Sequence, residues 1–203
     1  MKQTRKGFTL IELLIVIVVI GILAAMMMFS STEAVSSAKA SNIISNMRQL
    51  KTAMIAWYVD NLERVVPNTG SASKYKIKVG NSMKEFSEFV NTNSAEIMKY
   101  ISNGNSKKLL DRNHAKDRGG EYIMTAMAYS TKWYVCYNVG NDTRLKAKLA
   151  GRQKSAGLLG TNQLSGNVTV AGSNKSTNVG NLAISDVYTD QEFVCMLILD
   201  FGD

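Results

Sequence analysis

Residues 6–29, KGFTLIELLIVIVVIGILAAMMMF, set a lysine and a glycine directly against an apolar run whose one charge, Glu12, lies near its start. From Phe8 to Phe29 the run is long enough to cross a bilayer, because about 20 apolar helical residues at about 1.5 Å each match a hydrocarbon core of about 30 Å. An ordinary secretory signal is ordered differently. Its basic region, shorter apolar stretch and small-residue cleavage site leave together, whereas here the small residue, Gly7, precedes the apolar stretch. Cleavage after Gly7 therefore retains the hydrophobic segment as the start of the mature chain. Lys2, Arg5 and Lys6 ahead of it orient the precursor with its N-terminus in the cytoplasm and the chain beyond Phe29 outside.

Glu12 has two readings. Thr9-Leu10-Ile11-Glu12 fits a capping box, in which the Glu12 amide donates to the Thr9 hydroxyl and the Thr9 amide donates to the Glu12 carboxylate, with Phe8 and Leu13 placed as a hydrophobic staple. A carboxylate inside an apolar run nevertheless costs up to roughly 2.5 to 3.5 kcal/mol at a helix centre, less near the interface, and intramembrane charges are functional by default. The two readings are compatible. A residue that caps its own helix in the lone subunit is free to meet a neighbour's ammonium on assembly, since an ion pair is attractive where an unpaired charge is costly.

The rest of the 203 residues suits one globular unit. The formal charge is +8, and losing three of the 24 basic residues with the leader, against 16 acidic ones, leaves +5. Past the apolar run, Ala34, Ala38, Ile43, Met47, Leu50, Met54 and Trp57 or Tyr58 recur mostly at three- and four-residue steps, the period of an amphipathic helix. No Gly or Pro interrupts residues 22–62, which predicts one rod of about 55 residues and about 80 Å whose second half lies on a sheet. The Met and aromatic stripe is core packing.

Beyond the rod, Asn61 to Asn81 reads as a connector, with Tyr75, Ile77 and Val79 forming a brief edge strand. Ser82-Met83-Lys84-Glu85 resembles a capped helix start, with a break at Asn91 to Ser94. Glu121 to Tyr129 and Thr131 to Val139 read as antiparallel strands, and Asp142 to Leu149 as a small helix. Residues 151–182 are dense in Gly, Ser, Asn and Thr, with at most a strand at Val168 to Ala171, and Glu192 to Phe201 gives an apolar closing strand.

Lys6-Gly7-Phe8-Thr9-Leu10-Ile11-Glu12 resembles the processing site of the type IV pilin-like family, the pilins and the pseudopilins of type II secretion. The resemblance implies that a prepilin peptidase cuts between Gly7 and Phe8, that the Phe8 amine is N-methylated, and that Glu12 guides docking into a helical filament. It divides the chain into a leader (1–7), a transmembrane or filament-core helix half (8–29) and a periplasmic or extracellular head (30–203). The implied fold is α+β, a long helix packed on a three- or four-stranded antiparallel sheet. The implied partners are further copies of the chain, the peptidase, an assembly platform and, before assembly, the lipid bilayer. Within the family a major pilin of a surface fibre is favoured by the long head, a pseudopilin or minor pilin being the alternative. Glu12 argues against the tip subunit, which tends to lack that carboxylate. The family's proline near the end of the apolar segment is missing, since the only proline is Pro67.

Two constellations in the head remain. Cys136 and Cys195 are either a disulfide or two buried thiols. An exported domain sits where disulfides persist, and closing a loop of about 60 residues is worth roughly 4 kcal/mol. Alternation, however, sets Cys136 with Lys132, Tyr134 and Asn138 on a polar face and Cys195 with Phe193, Leu197 and Leu199, so the two point apart unless a bulge intervenes. That pilins often carry a disulfide near the C-terminus tips the choice towards the bond. The basic run Arg144 to Lys154 holds five cations and no acid; a solvated face accounts for it, with nucleic acid or another polyanion as the weaker alternative. Sequons at Asn141, Asn167 and Asn174 are near background for so Asn-rich a chain.

A membrane-anchored envelope enzyme would share this topology. One histidine, His114, no Gly-x-Ser-x-Gly elbow, no phosphate loop and no metal-ligand spacing argue against catalysis, and no cofactor or metal is expected.

Overall fold

In the computed structural model the described residues are 7–69, 74–101, 109–110, 122–126, 130–162, 184 and 187–202, without the side chains of 28–31. Helix α1 runs from Leu10 to Asp60, 51 residues without interruption, or about 77 Å at 1.5 Å per residue. It starts at the Thr9–Glu12 capping box. It ends where Asn61 turns out of the helix, its amide donating to the Tyr58 carbonyl and its side chain to the Trp57 carbonyl at 2.8 Å. The two halves of α1 meet different surroundings. Leu10 to Met27 is exposed all round, whereas Ala40, Ile43, Ile44, Met47, Leu50, Ala53, Met54 and Trp57 form one buried stripe.

A short 3-10 turn (Leu62–Arg64) leads into β1 (Val65–Pro67), β2 (Tyr75–Val79) and β3 (Ser82–Glu85), an antiparallel sheet with β2 in the centre. Two expectations are corrected here. Tyr75–Val79 is not an edge strand, and Ser82–Glu85 extends instead of starting a helix, because Lys84 and Glu85 pair with Ile77 and Lys76. Helix α2 follows at Phe86–Met98, with no side-chain bond at its cap residue Glu85 and a break at Asn93, inside the expected interval.

The second sheet holds β4 (Tyr122–Ala126), β5 (Lys132–Asn138), β6 (Leu159–Thr161) and β7 (Phe193–Asp200), antiparallel in the order β4-β5-β7-β6. Between β5 and β6 lie α3 (Thr143–Ala150), capped by the Asp142 carboxylate accepting from the Leu145 amide at 3.0 Å, and the single-turn α4 (Gln153–Ala156). Strand β6 was not foreseen, and Val168 to Ala171 lies outside the described residues. The buried stripe of α1 shares one core with Trp133, Val135 and Tyr137 of β5 and Val194, Met196 and Ile198 of β7. Trp133 is its hub, stacked on Phe86 with centroids 4.1 Å apart and meeting Tyr58 and Phe201 edge-on. Burying each Leu or Met of this core is worth about 1.5 to 3 kcal/mol.

The opposite face of the second sheet is apolar too. Ile123, Tyr134, Cys136, Phe193 and Cys195 form a separate buried cluster against Leu159, Ile184 and Leu197. Cys136 stands directly opposite Cys195 across β5 and β7 and is bonded to it. The reading that set Cys136 on a polar face and pointed the two cysteines apart is corrected by this register. Both strands bury both faces, so alternation alone could not say which faces coincide. A register shift does occur, but at Trp133/Tyr134, past the cysteines, and it moves Leu199 from the cysteine face to the helix face.

Candidate assembly site at the helix N-terminus

Thr9 has extended backbone angles at the cap of α1 while Leu10 enters the helix, so the first amides point back towards Thr9 and Glu12. The Glu12 amide donates to Thr9 Oγ1 at 3.3 Å. The Thr9 amide and the Thr9 hydroxyl both donate to Glu12 Oε2, each at 2.8 Å. All three bonds that close the box fall on one carboxylate oxygen and the threonine. Glu12 Oε1 has no partner among the described residues and remains an acceptor for a group from outside the subunit. The capping reading is thus correct for the lone subunit without excluding the second.

Gly7 is in open space, with nothing near the position of a side chain, and Phe8 is 80% exposed. Leu13 is also exposed, at 59%. Apart from Glu12, every side of the helix from Leu10 through Met27 is apolar and uncovered, and its most apolar stretch has none of its residues buried. Such a surface suits lipid, or the equivalent surfaces of other copies, and none of the other described residues covers it.

The head supplies the remaining sequence-predicted positions. The basic run is only partly a solvated face. Leu145 and Leu149 are buried and hold α3 against α1, Lys148 bonds Glu33 at 3.1 Å, and Arg152 lies along α1. Its guanidinium donates to the Ser37 carbonyl at 3.2 Å, the Ser37 hydroxyl at 2.8 Å and the Ser41 hydroxyl at 2.6 Å. Asn141 sits in an exposed turn, while His114, Asn167 and Asn174 lie outside the described residues. Among the described residues no group of three or more His, Cys, Asp or Glu could hold a metal ion.

Sequence reasoning passed over one further cluster, at the far end of α1. Arg64 pairs with Glu96 at 2.8 Å, donates to the Lys78 carbonyl at 3.0 Å and lies over the rings of Trp57 and Phe89. Its members come from four elements, so no local pattern could announce it.

The prokaryotic N-terminal methylation motif matches residues 2–28. The chain is 40% identical over 63 residues to the type IV major fimbrial protein FimA of Dichelobacter nodosus, covering 31% of this chain and 40% of that protein. It is 35% identical over 80 residues to the type IV major alpha-pilin of Moraxella bovis, covering 39% and 50%. To a fimbrial protein of Neisseria meningitidis it is 39% identical over 80 residues, covering 38% and 47%. The chain thus spans about half the length of these curated relatives, or less. No solved structure matches it.

Proposed function

We propose that this chain, type IV pilin-like by its N-terminal motif and its relatives, is a structural subunit of a type IV pilus or pilus-like helical filament. The observation that carries the reading is the unburied helix from Leu10 to Met27 with one carboxylate at its start. Before assembly the bilayer surrounds this half, with the leader 1–7 in the cytoplasm and the head, 30–203, outside. A prepilin peptidase cuts between Gly7 and Phe8 and the Phe8 amine is methylated. An assembly platform then lifts the subunit out of the membrane, and residues 8–29 exchange lipid for the same segment of neighbouring copies. Because lipid and a bundle of apolar helices are similar environments, hydrophobicity alone gives this exchange little direction. Charge supplies it: Glu12 Oε1 accepts from the Phe8 ammonium of the adjacent subunit, which neutralises two charges that are costly when separate in an apolar surrounding.

The relatives named as major fimbrial protein and major alpha-pilin support the major-pilin reading over the pseudopilin one. In an exported head the bonded Cys136 and Cys195 tie the closing strand to the middle of the sheet. Catalysis has no place in this scheme.

The test is the start of the mature protein. Mass spectrometry should find N-methylated Phe8 as its first residue, and Gly7→Val should leave full-length precursor in the membrane fraction. Mature protein that begins at Met1, or after a cut beyond Met28, overturns the reading.

A further inference from the structure

The proposed contact between Phe8 of one copy and Glu12 of its neighbour has a consequence higher up the same two helices. Phe8 and Glu33 are 25 residues apart, and so are Glu12 and Ser37, which is about seven turns at 3.6 residues per turn. Since α1 is continuous from Leu10 to Asp60, with no proline to break its phase, Glu12 and Ser37 lie on the same side of the helix; Phe8 precedes the helix and is set beside Glu12 by the bond from the next amide, Thr9, to the Glu12 carboxylate. Two parallel copies that bring Phe8 against Glu12 therefore bring Glu33 of the first against Ser37 of the second, about 37 Å further along. Ser41 lies on that face as well, one turn beyond Ser37.

What stands at Ser37 and Ser41 is the guanidinium of Arg152, delivered from the turn between α3 and α4. Its three bonds there go to two hydroxyls and a carbonyl, all neutral, and among the described residues no carboxylate touches it. A guanidinium has five donors, so capacity remains. On the other side Glu33 is the only acid of α1 between Glu12 and Asp60. Its side chain is 71% exposed, and only Oε2 is engaged, by Lys148 of the same copy. An arginine without an acid and an acid with a spare oxygen occupy the two positions that one helical repeat superimposes.

Resting on the filament reading above, we infer that Glu33 of one copy forms an ion pair with Arg152 of its neighbour, a second contact in register with the Phe8–Glu12 pair. The two contacts act as the ends of a ruler. The lower one selects the axial offset in the apolar core, and the upper one admits only that offset where the heads meet, because a slip of one turn, about 5.4 Å, separates the charges. The contact lies at the water-facing rim, so it contributes less than a buried pair and serves chiefly to fix register.

The experiment is a charge exchange combined with a crosslink, in cells that export the full chain and with Glu12→Gln alongside. Glu33→Arg and Arg152→Glu should each lower the yield of sheared filament by about three- to tenfold, and the double variant should recover most of it, as a coupled pair does. Co-expressed copies carrying Glu33→Cys and Ser37→Cys should yield a disulfide-linked dimer in filaments, which neither variant gives alone. Filaments that depend on Glu12, yet show neither rescue nor this dimer, overturn the second contact and leave the filament reading intact. Absence of any filament from the unaltered chain, or normal filaments from Glu12→Gln, defeats the Phe8–Glu12 premise and the ruler with it.

Discussion

Glu12 spends one carboxylate oxygen on its own helix start, and the other has no partner among the described residues, so capping and the proposed assembly role separate by a single substitution. Glutamine also reaches the Thr9 amide in a capping box, and Glu12→Gln should leave the amount and processing of subunit in the inner membrane unchanged. In the proposed filament, however, it would leave the neighbour's ammonium unpaired, and losing one partner of a buried pair costs about 3 to 5 kcal/mol. Filament recovered by shearing should fall to near nothing; wild-type recovery would reduce Glu12 to a cap. A second acid, Glu96, behaves differently because its work lies inside the head. Burial raises its pKa, but the Arg64 hydrogen bond and charge, with hydrogen bonds from Trp57 and Asn93, outweigh this and hold it below the ordinary value of 4.5. A carboxyl lowered by folding adds stability above its unfolded pKa and loses it as pH falls through the folded one. Glu96→Gln should therefore lower the melting temperature at about pH 7, and the gap from wild type should narrow as the pH falls below 4.5. A gap independent of pH would show that shape, not charge, matters at this position.

Among the elements, the disulfide between β5 and β7 joins residues 59 apart in sequence, and the chain-entropy model values such a closure at about 4 kcal/mol. Reduction, or Cys136→Ser with Cys195→Ser, should lower the free energy of unfolding in urea by up to about that amount, with little change in far-ultraviolet circular dichroism at zero urea. Recovery of both cysteines as free thiols from exported protein would remove the bond from the account. That bond also marks the boundary of what the sequence discloses. The rod was legible because 51 helical residues carry their signal many times over, and β4, β5 and β7 because each is an apolar run with its own turn. Strands β3 and β6 are four and three residues long, SMKE and LGT, and nothing in so short a segment distinguishes extension from a helix start or a loop. They are strands because β2 and β7 offer them partners. The two-faced burial of β5 and β7 was hidden for a related reason, since a strand covered on both sides has no alternation to read. At the candidate site, Gly7, Phe8 and Glu12 were legible because they sit in one local pattern. Arg152 on Ser37 and Ser41 was not, since 111 residues separate the arginine from Ser41.

At the scale of the whole molecule, α1 is two helices in function though one in backbone. Its first half makes no contribution to the head's interior, with 0% of its most apolar window buried. Its second half is inseparable from that interior, since Ile43, Met47, Leu50, Met54 and Trp57 share one core with both sheets. The hydrophobic free energy that stabilises the head is thus present without residues 8–29, while the long exposed apolar surface of α1, the one the proposed filament would bury, lies within them. A fragment starting at Thr32 should accordingly be soluble and monomeric, and should keep the disulfide. It should melt within a few degrees of the full chain in detergent, since fraying of one new helix end costs on the order of 1 kcal/mol. Mixed with full-length subunits it should neither enter nor cap filaments, because it lacks Phe8, Glu12 and the apolar half, and an isolated rim ion pair is worth only about 0 to 1 kcal/mol. Calorimetry and size-exclusion chromatography on the fragment, with sedimentation of labelled fragment against filaments, decide the matter. A fragment that fails to fold would mean the membrane half also stabilises the head, and one that binds filaments strongly would shift the main adhesive surface from the helix to the head.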